Sequence, residues 1–145
     1  MAQIEKIVLV EHSANEMFSL VDLVEEYPEF LPWCGGTTLI ERTDTVTLAT
    51  IKIDYHGVKQ SFTTRNLKEA PAWMHIELQE GPFKHLKGHW HFKALGDSAC
   101  KIEFRLEYEF SNKILQKLIG PVFTYIANTF VEAFVTRAET KFESK

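Results

Sequence analysis

Two histidines on one predicted strand are the most obvious candidates for chemistry in this chain. His89 and His91 are two residues apart, so both side chains point to the same face of a strand, as a pair of metal ligands would. The same alternation places Lys87 and Lys93 beside them on that face. Two lysine side chains disfavour a bound cation, so we expect a solvated strand face and no metal site.

Catalytic side chains are the next possibility. A nucleophilic cysteine needs a base close by, and the sequence around Cys34 supplies none, so we expect Cys34 to be a small buried apolar residue. The chain lacks the GxSxG, P-loop, GxGxxG and HExxH motifs. Asp54 and the glutamates of residues 100–110 are candidates for acid–base chemistry. The glutamates, however, alternate with apolar residues and therefore fall on the exposed side. The sequence predicts no catalytic residue and no enzyme.

Length and composition limit the possible classes of protein. A chain of 145 residues with 45% hydrophobic residues and eleven phenylalanines is typical of one globular domain with a sizeable core. The formal net charge of −4 disfavours non-specific binding to DNA. Two cysteines without CxxC spacing indicate reduced thiols. We find no signal-peptide pattern and no segment as long as a membrane span, so we expect a soluble cytoplasmic protein.

Alternating apolar and polar residues predict a mostly antiparallel sheet. The pattern is strictest in residues 86–95 and 100–110, so one face of these strands is expected to be buried and the other exposed to water. The exposed side is basic on the first and largely acidic on the second, so charges should pair if the two strands are neighbours. The predicted strands are 3–11, 37–42, 46–55, 58–67, 72–78, 86–95 and 100–110. A tight turn is predicted at residues 55–58, where Gly57 can take a positive φ.

Two helices complete the predicted elements. Ser13 followed by Glu16 has the pattern of a capping box, which predicts a helix that begins there and ends near residue 24. Residues 112–145 predict one long helix, with a kink expected at Gly120-Pro121. One face of that helix is apolar and aromatic: Ile119, Phe123, Ile126, Phe130 and Phe134.

A large antiparallel sheet that grips one aromatic helix can enclose an apolar chamber, which suits a hydrophobic ligand better than catalysis. We expect Trp90, Phe92, Phe104 and Tyr108 of the sheet to face the helix. Two proline-containing segments carry Phe30, Trp33 and Phe83. We expect these three residues to lie at one mouth of the tunnel, where they open and close it and contact a membrane transiently. The predicted ligand-binding residues are Phe30, Trp33, Phe62, Met74, Phe83, Trp90, Phe92, Phe104, Tyr108, Phe123, Ile126 and Phe130.

Five short segments of this chain form a recognisable pattern: residues 27–34 (YPEFLPWC), 62–65 (FTTR), 81–86 (GPFKHL), 90–92 (WHF) and 133–138 (AFVTRA). At these separations they resemble the coenzyme Q-binding START-domain family. The chain is similar also to the bacterial ribosome association toxin branch of that family, and an older name for such chains is polyketide cyclase/dehydrase-like proteins. The resemblance covers residues 4–142.

The resemblance implies a single START-like domain over residues 1–145, with an α+β helix-grip fold and a hydrophobic tunnel. In one branch it implies binding of ubiquinone in support of respiration, as a carried ligand and not a cofactor. Trp33-Cys34 looks closer to that branch. In the other branch it implies binding to the large ribosomal subunit and a block of subunit association. From the sequence we favour the non-enzymatic quinone or lipid carrier, with the ribosomal role as the alternative and a polyketide cyclase activity third.

Overall fold

The computed structural model describes residues 2–142. Its seven strands form one sheet in the order β1-β7-β6-β5-β4-β3-β2, in which all neighbours are antiparallel. The predicted α+β helix-grip fold, with a curved antiparallel sheet around a long C-terminal helix, is confirmed. The elements in chain order are β1 (Ala2–Val10), α1 (Ala14–Asp22), a 3-10 helix (Val24–Glu29), β2 (Cys34–Arg42), β3 (Val46–Tyr55), β4 (Val58–Glu69), β5 (Trp73–Glu80), β6 (Phe83–Ala94), β7 (Cys100–Phe110) and α2 (Lys113–Lys141).

The sheet has two unlike faces. We call the side that packs against α1 and α2 the inner face and the opposite side the outer face. On β7 the inner-face residues are buried while their neighbours are partly or fully exposed, as the alternation predicts. β2 and β6 begin three residues earlier than predicted, at Cys34 and Phe83. A register shift lies at the start of each of these strands, between Cys34 and Gly36 in β2 and between Phe83 and His85 in β6. Such irregularities bend the strand and hide the alternation of apolar and polar residues.

The turn between β3 and β4 follows the prediction. His56 and Gly57 both have positive φ, 50° and 82°, and they connect the paired residues Tyr55 and Val58. Two consecutive residues in this conformation make a tight turn whose twist matches that of the strands.

α1 begins at a capping box, as predicted. The Glu16 backbone N–H donates to the Ser13 hydroxyl at 3.1 Å, and the Ser13 N–H donates to the Glu16 carboxylate at 3.0 Å. The two bonds satisfy backbone donors that the first turn of a helix leaves free. The helix thereby starts at a fixed position over the sheet and buries Met17 and Phe18.

α2 is a single helix that continues through Pro121. Its Asn112 side chain caps the first turn by accepting the Leu115 N–H at 2.8 Å. The helix ends at Lys141, and the predicted continuation over residues 143–145 lies outside the described residues. Of the predicted apolar face, Phe130 is partly buried and the other four residues are buried.

α2 also corrects a prediction about membranes. By length and composition alone it is long and apolar enough to cross a bilayer, so the prediction that no segment reaches this length is wrong. The core helix of a globular domain passes the same test, and α2 buries Phe123 and Phe134 within this domain.

Candidate functional site

The inner cavity lies between the inner face of the sheet and α2. Its volume is about 60 Å³, and most of its lining is apolar. Half of the twelve predicted ligand-binding residues line it: Trp33, Phe62, Phe104, Phe123, Ile126 and Phe130. The sheet and α2 therefore do enclose a chamber at the predicted place, but a chamber much smaller than the several hundred cubic ångströms that ligand pockets usually have.

The aromatic residues around the cavity pack on one another. Trp90 and Phe104 have ring centroids 5.8 and 5.6 Å from that of Phe130, and the Tyr108 centroid is 4.7 Å from Phe123. These three residues face α2 as predicted. They account for much of the volume that a ligand would need.

Three further predicted ligand residues lie elsewhere in the core. Phe92 contacts Phe18 of α1 with centroids 5.9 Å apart, so the prediction that it faces α2 is wrong. It also stacks on Trp90 at 5.6 Å. Met74 is fully buried and does not line the cavity. Phe83 is buried against Phe123, with ring centroids 4.9 Å apart.

The predicted single mouth is not formed, because two of its residues contact distant points of α2. Phe83 contacts Phe123, whereas Phe30 contacts Phe134 at a centroid distance of 5.2 Å. Phe123 and Phe134 are separated by about 16 Å along the helix axis. Phe30 and Trp33 do lie together, in an open groove between the segment after the 3-10 helix and α2.

Two polar side chains from β4, Thr64 and Asn66, also line the inner cavity. Asn66 is only 5% exposed, and its Oδ1 atom has no hydrogen-bond partner among the described residues. A buried acceptor without a partner is costly, so the Asn66 amide in this lining lacks a hydrogen bond that would stabilise it. The alternation of β4 places Asn66 on the inner face after Phe62 and Thr64, and this alternation is the signal in the sequence that identifies Asn66.

The titratable group in the cavity lining is Tyr27. Burial raises its pKa above the usual value for tyrosine, and its hydroxyl donates to the Val21 carbonyl at 2.6 Å. Tyr27 is therefore held in its neutral form as a structural donor. The fifteen described lining residues include no acid–base pair and no nucleophile beside a base.

An ion pair lies beyond Asn66 at the end of the inner face, between Lys68 of β4 and Asp22 of α1. The buried Lys68 ammonium group donates to both Asp22 carboxylate oxygens, at 3.0 and 3.1 Å. The Thr47 hydroxyl donates to the same carboxylate at 2.6 Å, and Arg42 Nε lies 3.3 Å from it. These contacts tie the end of α1 to β2, β3 and β4, so they close this end of the core.

The outer face of β5, β6 and β7 carries the charges that the sequence predicts, but their pairing is mixed. His85 Nε2 lies 3.1 Å from the Glu107 carboxylate. On the other hand, His89 stands opposite Arg105, and Lys93 stands opposite Lys101. The predicted complementarity between β6 and β7 therefore holds at some positions only.

The same face brings three imidazoles together. His75 of β5 is the register partner of His89, and their ring centroids lie 4.1 Å apart. The His89 and His91 centroids are 4.4 Å apart. Burial, followed by the neighbouring His75 and His91, lowers the pKa of His89 to about 4. The sequence places only His89 and His91 on one strand face, and we expected no metal site from those two residues. It does not show that His75 of a different strand lies beside them.

Known proteins share this fold and this sequence pattern. The family described as polyketide cyclase / dehydrase and lipid transport matches residues 10–135, so the chain belongs to that family. This match, together with relatives named as a ribosome association toxin and a coenzyme Q-binding protein, confirms the predicted resemblance.

The similar proteins have names that refer to different functions. The chain is 39% identical over 145 residues to the ribosome association toxin RatA of Escherichia coli K12, a match that covers 100% of this chain and 92% of the relative. It is 23% identical over 141 residues to the mitochondrial coenzyme Q-binding protein coq10 of Schizosaccharomyces pombe, covering 92% and 84% of the two chains. The ZhuI aromatase/cyclase of Streptomyces sp. R1128 superposes with a TM-score of 0.83 at 15% identity, over 99% of this chain and 96% of the other. At that identity the superposition shows a shared fold.

Proposed function

We propose that this chain is a non-enzymatic ribosome-association factor of the cytoplasm, which binds the large ribosomal subunit and opposes its association with the small subunit. The observation that carries the proposal is the 39% identity over the whole chain to a protein named for ribosome association. The similarity to the coenzyme Q-binding relative is weaker, at 23% identity. This order reverses the preference we took from the sequence.

The charge distribution supports contact with an anionic partner. The formal net charge is −4, yet residues 111–131 contain Lys113 and Lys117 and no acidic residue. The first turn of α2 carries no acid, so no negative charge there offsets the positive end of the helix dipole. The same turns expose Ile114 at 71% and Leu118 at 64%. The first two turns of α2 therefore offer positive charge and apolar contacts, a combination that fits ribosomal RNA and protein.

The proposal is tested by sedimentation. Purified protein is added to ribosomal subunits under conditions that favour association, and the mixture is separated on a sucrose gradient. We expect a smaller fraction of joined ribosomes and co-migration of the protein with the large subunit. The double variant Lys113→Glu/Lys117→Glu should abolish both effects, because it reverses the charge at the start of α2.

A matched control separates this surface from net charge. Lys52 and Lys93 are exposed residues of β3 and β6, and Lys52→Glu/Lys93→Glu makes the same change in net charge. This control should act like the parent protein. Absence of co-migration for the parent would refute the ribosomal function, and an equal loss in both double variants would refute the assignment to α2.

A second candidate function is the binding of ubiquinone or a similar lipid in the inner cavity. The Asn66 amide favours it, because its Oδ1 atom has no hydrogen-bond partner among the described residues and an apolar lining with few polar groups suits an apolar molecule with a polar head. The cavity of about 60 Å³ must widen before a quinone ring can enter. Mass spectrometry of lipid extracted from purified parent protein and from Asn66→Leu tests this candidate. A quinone in the parent and much less in the variant is expected, and equal or absent lipid in both would refute it.

A further inference from the structure

We propose that His75, His89 and His91 form a binding site for a divalent transition-metal ion, of the Zn²⁺ class, on the outer face of the sheet. The site is separate from the inner cavity and from the start of α2. It joins two neighbouring strands, β5 and β6, and its three ligands are side chains of regular strands and not of loops.

The register of the two strands creates the cluster. His75 is paired directly with His89, and Trp73 is paired with His91 one step along the same face. Residues that are paired directly or diagonally across two strands lie close enough for their side chains to touch. The backbone hydrogen bonds of the sheet thus hold all three imidazoles on one patch without a ligand.

The distances suit a shared ion after a small adjustment. One ring nitrogen from each histidine lies within 4.8 Å of the other two. At metal–nitrogen bonds of about 2.1 Å, tetrahedral ligand atoms are roughly 3.4 Å apart. Side-chain rotations that move each nitrogen by about an ångström close that difference. Trp73 packs on His75 with ring centroids 4.5 Å apart, which limits where that ring can move.

The nearby charges permit a cation. The basic residues on this face near the three histidines are Lys87, Lys93, Lys101 and Arg105, and Lys87, Lys101 and Arg105 each have an acidic neighbour. Arg105 Nε lies 3.5 Å from the Glu5 carboxylate, and Lys87 is in register with Glu77 on one side and Glu107 on the other. Lys87 and Lys93 are the two lysines that weighed against a cation in the sequence. Lys87 is flanked by these acids, and Lys93 stands opposite Lys101 at the next pair beyond His91.

An acidic side chain lies beside the site. Glu103 of β7 is the register partner of His91, and one carboxylate oxygen lies 3.9 Å from His91 Nδ1 while the other lies 3.4 Å from Lys101 Nζ. Glu103 can therefore orient the His91 ring from outside the ligand set. Three imidazole ligands favour Zn²⁺, Cu²⁺, Ni²⁺ or Co²⁺ over Mg²⁺ or Ca²⁺, which prefer sites made of oxygen atoms alone.

Titration calorimetry with Zn²⁺ tests the site. The protein is made without a histidine tag, treated with a chelator and dialysed. We expect one ion per chain and no response to Mg²⁺. Each of His75→Gln, His89→Gln and His91→Gln should weaken Zn²⁺ binding at least tenfold, because each removes a ligand. Co²⁺ should give the visible absorption of a nitrogen-bound tetrahedral ion in the parent only.

The control is His56→Gln, which removes an exposed histidine from the turn between β3 and β4. It should bind Zn²⁺ as tightly as the parent. All four changes lie outside the buried core, so each variant should fold, and circular dichroism checks this. No saturable binding by the parent, or the same loss in His56→Gln as in the other variants, would overturn the proposal. The result does not depend on whether the chain binds ribosomes.

Discussion

The two faces of β6 and β7 are built from alternate residues of the same strands and yet hold the molecule together in different ways. On the inner face, Trp90 and Phe104 are buried, and both contact Phe130 of α2. On the outer face, His89 and Arg105 stand opposite each other and remain partly or fully exposed. Burial of the inner residues stabilises the fold because it removes apolar surface from water. The outer residues interact in pairs, and water and salt screen the interactions between their charges.

This difference separates stability from candidate function. Packing on the inner face leaves a cavity of about 60 Å³, so most of that face serves the core. The outer face and the start of α2 bury little, and their charged and imidazole groups remain available to partners. A substitution on the inner face should therefore change mainly the free energy of unfolding, and one on the outer surface should change mainly binding.

The largest effect is expected from Phe134→Ala. Phe134 is fully buried and contacts Tyr27, Phe30 and Trp90 with ring centroids 5.2 to 5.5 Å apart. Its removal leaves a void in the core and should lower the free energy of unfolding by about 3–5 kcal/mol. Urea denaturation measures the loss. Ile114→Ala is the control on the same helix, because Ile114 is exposed and its change should stay within about 0.5 kcal/mol. Equal losses in the two variants would remove the distinction between buried and exposed surfaces.

An intermediate effect is expected from Phe130→Ala. Phe130 is partly buried and lines the inner cavity, so part of its surface already has no packing partner. The free energy of unfolding should fall by about 2 kcal/mol, less than for Phe134→Ala. Binding of a short-chain ubiquinone analogue, measured by fluorescence titration, should weaken as well. A loss as large as that of Phe134→Ala, with unchanged quinone binding, would assign Phe130 to the core alone.

The smallest effect is expected on the outer face, for the pair Arg105 and Glu5. Their charged atoms lie 3.5 Å apart, and both side chains are mostly exposed. A double-mutant cycle with Arg105→Ala and Glu5→Ala should give a coupling energy of about 0.2–1 kcal/mol. High salt should reduce it further. A coupling energy that exceeds the loss in Phe130→Ala would contradict the view that the outer face adds little to stability.

The sequence alone determined the features that depend on residues close together in the chain. Ser13 and Glu16 gave the start of α1, and His56-Gly57 gave the turn between β3 and β4. Strict alternation gave the bounds of β7, and the spacing of Phe123 and Phe134 gave the buried face of α2. These features follow from local backbone geometry, whose periods of 2.0 and 3.6 residues are written directly in the order of apolar side chains.

Only the tertiary structure decided which distant residues meet. His75 and His89 are fourteen positions apart, and the register of β5 on β6 places them side by side. Phe30 and Phe83 looked alike in the sequence, yet they contact different turns of α2 because they enter the core from different ends. The size of the inner cavity is likewise set by how Trp90, Phe104 and Phe130 interlock. Periodicity tells which face a side chain is on, but register, bulges and close packing fix its neighbours, and these depend on contacts across the whole chain.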